Sequence, residues 1–232
     1  MAYKVTANSQ FSVNATTVVA DWGADVVAIK DGGWITYSGY DSSYYHALFQ
    51  RFTSDGTEKG DKTWVANQNA SLYPESITAL TDGGWVATYS AYGPGGPTWT
   101  PYRMEVYQLR FDAAGKAVGG VQQVNTFKNL EQWGSKSAGL SDGGWVVVWQ
   151  SNDQDGDDAG IYQQRYSKTG TKVGGETRVN ATTSESEFPN SVTGLSDGGW
   201  IVSWDVGTYT ASLRGIFTQR YDKAGNKVGG TV

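Results

Sequence analysis

Three groups of side chains in this 232-residue sequence have the types and spacing to do chemistry. The first is acidic. Asp153, Asp155, Asp157 and Asp158 crowd around Gly156, enough hard oxygen donors for a calcium ion; the same cluster also reads as a solvated acidic loop. The second is a scatter of carboxylates, Asp41, Glu105, Asp153, Asp155, Asp157 and Asp205, of the kind glycoside cleavage uses in pairs, although their spacing selects no pair. The third is aromatic. Tyr40, Tyr44, Tyr92, Trp99, Tyr102 and Tyr209 stand in connecting segments, and Trp22, Tyr73, Trp133 and Phe188 each precede a recurring turn by nine residues. Aromatic faces stack on the apolar faces of sugars while nearby polar groups, Asp205 among them, take the hydroxyls. The nine-residue set reads equally as wedges between structural units. A single histidine, His46, and no cysteine leave no nucleophilic triad and no zinc site.

A repeat must position these groups. Asp-Gly-Gly-Trp begins at Asp31, Asp82, Asp142 and Asp197, at intervals of 51, 60 and 55 residues, which is the period of a repeat architecture. Runs of β-branched and aromatic residues flank each copy, so each is a hairpin whose tip uses residues that tolerate positive φ. A third strand follows, ending at Phe52, Phe111, Tyr166 and Tyr221, with a turn glycine four residues later at Gly56, Gly115, Gly170 and Gly225. A fourth strand is expected at 63–67, 122–125 and 177–180 and is missing from the last repeat, where residues 3–8 at the other end of the sequence can supply it. The expected fold is therefore all-β: a four-bladed β-propeller of four-stranded repeats, closed by pairing the N-terminal strand with the last repeat. The single domain spans 1–232, with residues 1–8 as closing strand and repeats at roughly 9–67, 68–125, 126–180 and 181–232. Thirty-one glycines and 31 aromatic residues fit many short strands joined by tight turns.

This topology gives the molecule two unlike ends. The Asp-Gly-Gly and glycine turns share one end and are uniform. The other end carries connections that differ in every repeat, and function concentrates in such scaffold-held variable loops. Arg51, Arg110, Arg165 and Arg220, late in each third strand, are expected to pair with the turn Asp of their own repeat.

A net charge of −5 and a pI near 4.9 argue against nucleic acid and anionic membrane surfaces as partners. The first residues show no apolar signal-peptide core, and no stretch is long and apolar enough for a transmembrane span.

Residues 140–149 (Leu-Ser-Asp-Gly-Gly-Trp-Val-Val-Val-Trp), 160–166 (Gly-Ile-Tyr-Gln-Gln-Arg-Tyr) and 173–180 (Val-Gly-Gly-Glu-Thr-Arg-Val-Asn) resemble tandem repeats of bacterial RTX-type, calcium-dependent surface adhesins. The resemblance covers nearly the whole sequence and departs in the first repeat, where Lys59-Gly60-Asp61 replaces Val-Gly-Gly. It implies secretion or cell-surface display, adhesion and calcium. Together these readings lead to an expectation of a lectin-like, non-enzymatic module that binds glycans or glycoconjugates through its aromatic loops. The alternatives are a structural or adhesion module with a protein partner and, behind it, a glycosidase-like enzyme.

Overall fold

A computed structural model describes residues 24–41, 45–65, 72–92, 103–156, 158–181, 186–207 and 215–232. They form four sheets of four antiparallel strands, each paired in sequence order. The first sheet contains β1 (Ala24–Ala28), β2 (Trp34–Asp41), β3 (Tyr45–Phe52) and β4 (Thr63–Trp64). The second contains β5 (Leu72–Ala79), β6 (Trp85–Tyr92), β7 (Met104–Phe111) and β8 (Ala117–Gln123). The third contains β9 (Gln132–Gly139), β10 (Trp145–Asn152), β11 (Ala159–Tyr166) and β12 (Lys172–Arg178). The fourth contains β13 (Ser186–Gly194), β14 (Trp200–Gly207), β15 (Gly215–Tyr221) and β16 (Lys227–Val228). The first strands β1, β5, β9 and β13 pack side by side in that order.

The two glycines of each Asp-Gly-Gly turn are required for different reasons. The first has φ between +86° and +91° (Gly32, Gly83, Gly143 and Gly198), a conformation that penalises any Cβ. The second is forced by proximity: a Cβ on Gly33, Gly84, Gly144 or Gly199 would stand 2.1–2.3 Å from the carbonyl oxygen that ends the third strand. That oxygen belongs to the backbone and cannot swing aside. Gly144→Ala is therefore expected to cost about 1–3 kcal/mol or more by overpacking, read as a lowered urea midpoint at unchanged m value.

The tryptophan after each turn stacks on the aromatic that ends the third strand. Trp145 lies 5.3 Å from Tyr166 at 12°, and Trp34, Trp85 and Trp200 repeat the arrangement on Phe52, Phe111 and Tyr221. Each indole also faces the turn glycine of its own sheet at 3.4–3.6 Å from a would-be Cβ. The indoles of Trp145 and Trp200 donate to Gln108 and Gln163 of the preceding sheet, at 2.8 and 2.9 Å. In Trp85 the partner position is Phe49, met edge-on at 5.3 Å.

The core lies between sheets. One apolar cluster joins the first sheet to the second, another the second to the third, and a third the third to the fourth. Central strands are apolar on both faces because both are covered: in β6, Trp85, Ala87 and Tyr89 pack toward the first sheet and Val86 toward the third. Lysines clamp the junctions from outside: Lys172 donates to Val124 O, and Lys227 to Val179 O, both at 2.7 Å.

The last repeat departs from expectation by beginning a fourth strand of its own, β16, which the backbone bonds between Thr218 and Val232 extend. The closing strand expected at residues 3–8 lies outside the described residues.

Candidate active site

The two ends of the sheets treat their carboxylates differently. At the turn end, Asp31, Asp82, Asp142 and Asp197 each accept the N–H of the second glycine, at 2.8–3.1 Å. Each also pairs with the third-strand arginine of its own sheet, Arg110 with Asp82, Arg165 with Asp142 at 2.6 Å, Arg220 with Asp197 at 2.5 Å and, at the longest distance, Arg51 with Asp31 at 3.9 Å. The first sheet differs. Asp31 pairs with Lys59 at 2.7 Å, and this hydrogen bond is the main reason its pKa is lowered. Arg51 also reaches the second sheet, donating to the carbonyls of Ala113 and Ala114 and lying over Trp85. These Asp carboxylates are exposed and committed to turn geometry, so the turn end has structural rather than chemical work.

At the loop end some carboxylates are buried. Glu105, the second residue of β7, lies opposite Ala91 and is 6% exposed. Its Oε2 accepts from the amides of Gln123, at 2.9 Å, and Asn125. Asn125 is itself fixed, accepting the Val106 N–H at 3.0 Å and donating to Phe127 O and Gln132 Oε1. Desolvation raises the Glu105 pKa, outweighing its amide partners and the cations Lys128 and Arg103. The folded state thus favours the neutral carboxyl. Its contribution is fully present below the ordinary value of 4.5 and is lost as pH rises through the folded value. Glu105→Gln is expected to remove this loss, so that the variant gains on the parent in stability between pH 4.5 and neutrality, measured by urea unfolding across pH.

The matching position in the third sheet is Gly160, opposite Ser151 in β10. A carboxylate reaches the same place by another route. Asp155, from the loop joining β10 and β11, lies so close to Gly160 that a Cβ there would stand 2.8 Å from its Oδ2. Its side chain is 3% exposed, with Oδ2 at 3.4 Å from Arg178, which occupies the position of Gln123. Its Oδ1 is buried without a hydrogen-bond partner among the described residues. Tyr162 beside it is pushed up to about 12 by burial first and by the Asp155 charge second.

Glu187, fully buried in β13 opposite Val206, stands where the preceding repeat has Gln132. Glu75, the extra residue of a bulge in β5, joins the second sheet to the third by accepting from Gly134 N and Ser135 N, both at 2.7 Å, and from the hydroxyls of Ser135 and Ser90. Glu176 receives Thr126 and Gln154. Glu75, Glu187 and Arg178 were not singled out in the sequence. Aligning the repeats position by position would have marked Glu187 as a charge in the place of a glutamine.

The acidic loop divides. Asp155 turns to Arg178 and Asp158 accepts from Ser186, while Asp153 is exposed at φ 57°. Asp157 lies outside the described residues. Among those described, no group of three or more acidic or histidine side chains is arranged to hold a metal ion.

Of the aromatic candidates, Tyr73 and Tyr92 meet edge-to-face at 6.4 Å and 80°, half-buried at the loop end of the second sheet. Trp133 and Phe188 are half-buried in the matching first strands, opposite Gln150 and Asp205. Asp205 accepts from Asn190 at 2.6 Å. Tyr40 lies in β2 opposite His46, its side chain outside the description. Trp22, Tyr44, Trp99, Tyr102 and Tyr209 are outside the described residues.

No family model and no curated protein matches the chain. Solved structures do. A protein of unknown function from Dyadobacter fermentans aligns over 88% of this chain and 66% of its own, with TM-score 0.60 and 11% identity. A thermostable family-43 glycoside hydrolase aligns over 91% and 75%, with TM-score 0.60 and 15% identity. An α-L-arabinofuranosidase from Fusarium graminearum aligns over 91% and 66%, with TM-score 0.58 and 12% identity. The chain thus spans about two-thirds to three-quarters of the length of these structures. At such identities the likeness shows the fold, an all-β, propeller-like architecture shared with glycoside hydrolases. It corrects the expectation of a non-enzymatic lectin-like module: the two matches with a named function, the hydrolase and the arabinofuranosidase, are enzymes. Aromatic loop residues had carried that expectation because stacking on sugars is common to binding and to cleavage.

Proposed function

We propose that this chain is a glycosidase-like enzyme built on a four-bladed propeller, with its active site at the loop end of the second and third sheets. The observation that carries the reading is the placing of buried carboxylates at equivalent positions of two adjacent sheets, one from a strand and one from a loop, in different electrostatic settings. Glycoside hydrolysis needs two carboxyl groups with different proton occupancy, one to protonate the leaving oxygen and one to act as an anion. Glu105, whose pKa desolvation raises, is the acid, and Gln123 and Asn125 fix its orientation. Asp155, ion-paired with Arg178 and holding one oxygen unengaged, is the anion that activates water or attacks the anomeric carbon. The half-buried Tyr73 and Tyr92, set edge to face, offer aromatic surface at the same end for a sugar ring.

The fold shared with an arabinofuranosidase and a family-43 hydrolase makes arabinan the first polymer to test, followed by a panel of other neutral and acidic polysaccharides. Purified protein is expected to release new reducing ends from at least one of them, with NMR of the fresh product giving the anomeric outcome. No release from any polymer, or only unsaturated ends formed by elimination, overturns the proposal.

A further inference from the structure

One carboxylate on an outer strand ties together the two halves of the proposed site. Glu176 is the fifth residue of β12, half-buried where Gly175 and Thr177 on either side are exposed. Its Oε2 accepts the N–H of Thr126 at 2.6 Å and the Thr126 hydroxyl at 2.9 Å, and its Oε1 accepts the side-chain amide of Gln154 at 2.5 Å. The two partners come from different segments: Thr126 from the connection between β8 and β9, Gln154 from the loop between β10 and β11. Each adjoins a member of the site in the chain. Thr126 follows Asn125, whose amide meets Glu105, and Gln154 precedes Asp155. Both segments are braced on their other sides. Asn125 is fixed by Val106, Phe127 and Gln132, and Gln154 Oε1 accepts the hydroxyl of buried Ser151 in β10 at 2.7 Å.

We propose that Glu176 is a positioning residue that fixes Glu105 and Asp155 relative to each other, through Asn125 and Thr126 on one side and Gln154 on the other. This rests on reading those two carboxyls as acid and anion, while the tie itself is present without substrate. Two observations favour it over a role in forming the strand. First, the strand does not need the acid: Val121 holds the matching position after Gly119-Gly120 in β8, and Thr231 follows Gly229-Gly230 in the last repeat. Valine and threonine are the better strand formers, so Glu176 gives up local preference for its contacts. Second, those contacts converge on one rigid group. A carboxylate is planar and acceptor-only, and here one oxygen is engaged by each segment. A shift of either segment therefore pulls on the other. A reacting group displaced by about 1 Å can lose about 10²-fold in rate, so a tie made by a residue outside the reacting pair still bears on turnover.

The test pairs Glu176→Val, which copies Val121 and keeps the strand, with Glu176→Gln, which keeps an acceptor for Thr126 and can offer its amide to Gln154 Oε1 once that side chain turns over. In protein without substrate, Gln154→Ala is expected to speed hydrogen exchange of the Thr126 amide several-fold in the parent and to add nothing in the Glu176→Val background. The Val65 amide, which donates to Ala47 O in the first sheet, is the control and should not change. No effect of Gln154→Ala in the parent, or an equal effect in the Glu176→Val background, overturns the tie. On a polymer that the parent cleaves, Glu176→Val is expected to lower kcat by about 10–10²-fold with little change in KM, and Glu176→Gln to restore most of the rate. Parental kcat in Glu176→Val, or a Glu176→Gln protein as slow as Glu176→Val, overturns the positioning role. A parent that cleaves no polymer ends the hydrolytic reading instead, and the tie then stands or falls on the exchange result.

Discussion

Glu105→Gln is expected to lower the rate of glycoside cleavage on the order of 10²–10⁴-fold while leaving substrate affinity nearly intact, because proton transfer to the leaving group contributes that much and the amide cannot supply the proton. The substitution is conservative in shape. The glutamine amide can turn its oxygen toward the donors of Gln123 and Asn125, which now meet Oε2 of the carboxyl. The loss should therefore fall on kcat with little change in KM, the pattern of an interaction made in the transition state. Asp155→Asn is expected to produce a comparable loss, and the pair together should lose much less than the product of the two, since both act in one step. A Glu105→Gln protein that turns over at the parental rate would move the chemistry to other carboxylates and end this assignment of roles.

The second large effect concerns the scaffold. Trp145→Ala should cost about 3–5 kcal/mol, the range for emptying a buried aromatic site. The indole is 1% exposed, stacks on Tyr166 and bonds to Gln108, itself buried. Truncation opens a cavity between the second and third sheets and leaves the Gln108 carbonyl without that donor, which adds a desolvation cost. Against a total stability of about 5–15 kcal/mol for a natural domain this is a large share. Urea unfolding followed by fluorescence of the remaining tryptophans measures it; a loss under about 1 kcal/mol would mean that this junction does not hold the sheets together.

The repeat was legible because its demands are local. Asp-Gly-Gly-Trp fixes a turn, a near contact and a stacking partner within one sheet, and the four Arg–Asp pairs follow from the same spacing. What was not legible depends on neighbours far apart in sequence. Arg51 stands 3.9 Å from its own Asp while Lys59 meets that Asp at 2.7 Å, and the guanidinium lies over Trp85 of the next sheet. The buried state of Glu105 and Asp155 was equally hidden, since a carboxylate in a variable loop reads as solvated until the strands around it are placed. Gly160 was the clue: a residue without a side chain at the position where the previous repeat has Glu105 leaves room for an acid arriving from elsewhere. Tolerance of positive φ accounts for the first glycine of each turn only; the second is required by the approach of a carbonyl oxygen. The functional reading erred for a broader reason. Aromatic residues near polar groups describe a surface that touches sugar, and the sequence held no spacing that separated touching from cutting.

The sharing of each cluster between two sheets bears on how the protein is made. A newly translated second repeat has Trp85 and Tyr89 on one face and Val86 on the other, each waiting for a different neighbour. The first repeat can cover one of those faces; the other stays sticky until the third emerges. On the ribosome, therefore, each repeat shelters its predecessor and exposes a fresh apolar face of its own, so the nascent chain is at greatest risk of aggregation just before its last strands are released. Slow translation through the later repeats would prolong that risk, and a chaperone that binds aromatic-rich strands should be found on the chain late in synthesis and absent from the finished protein.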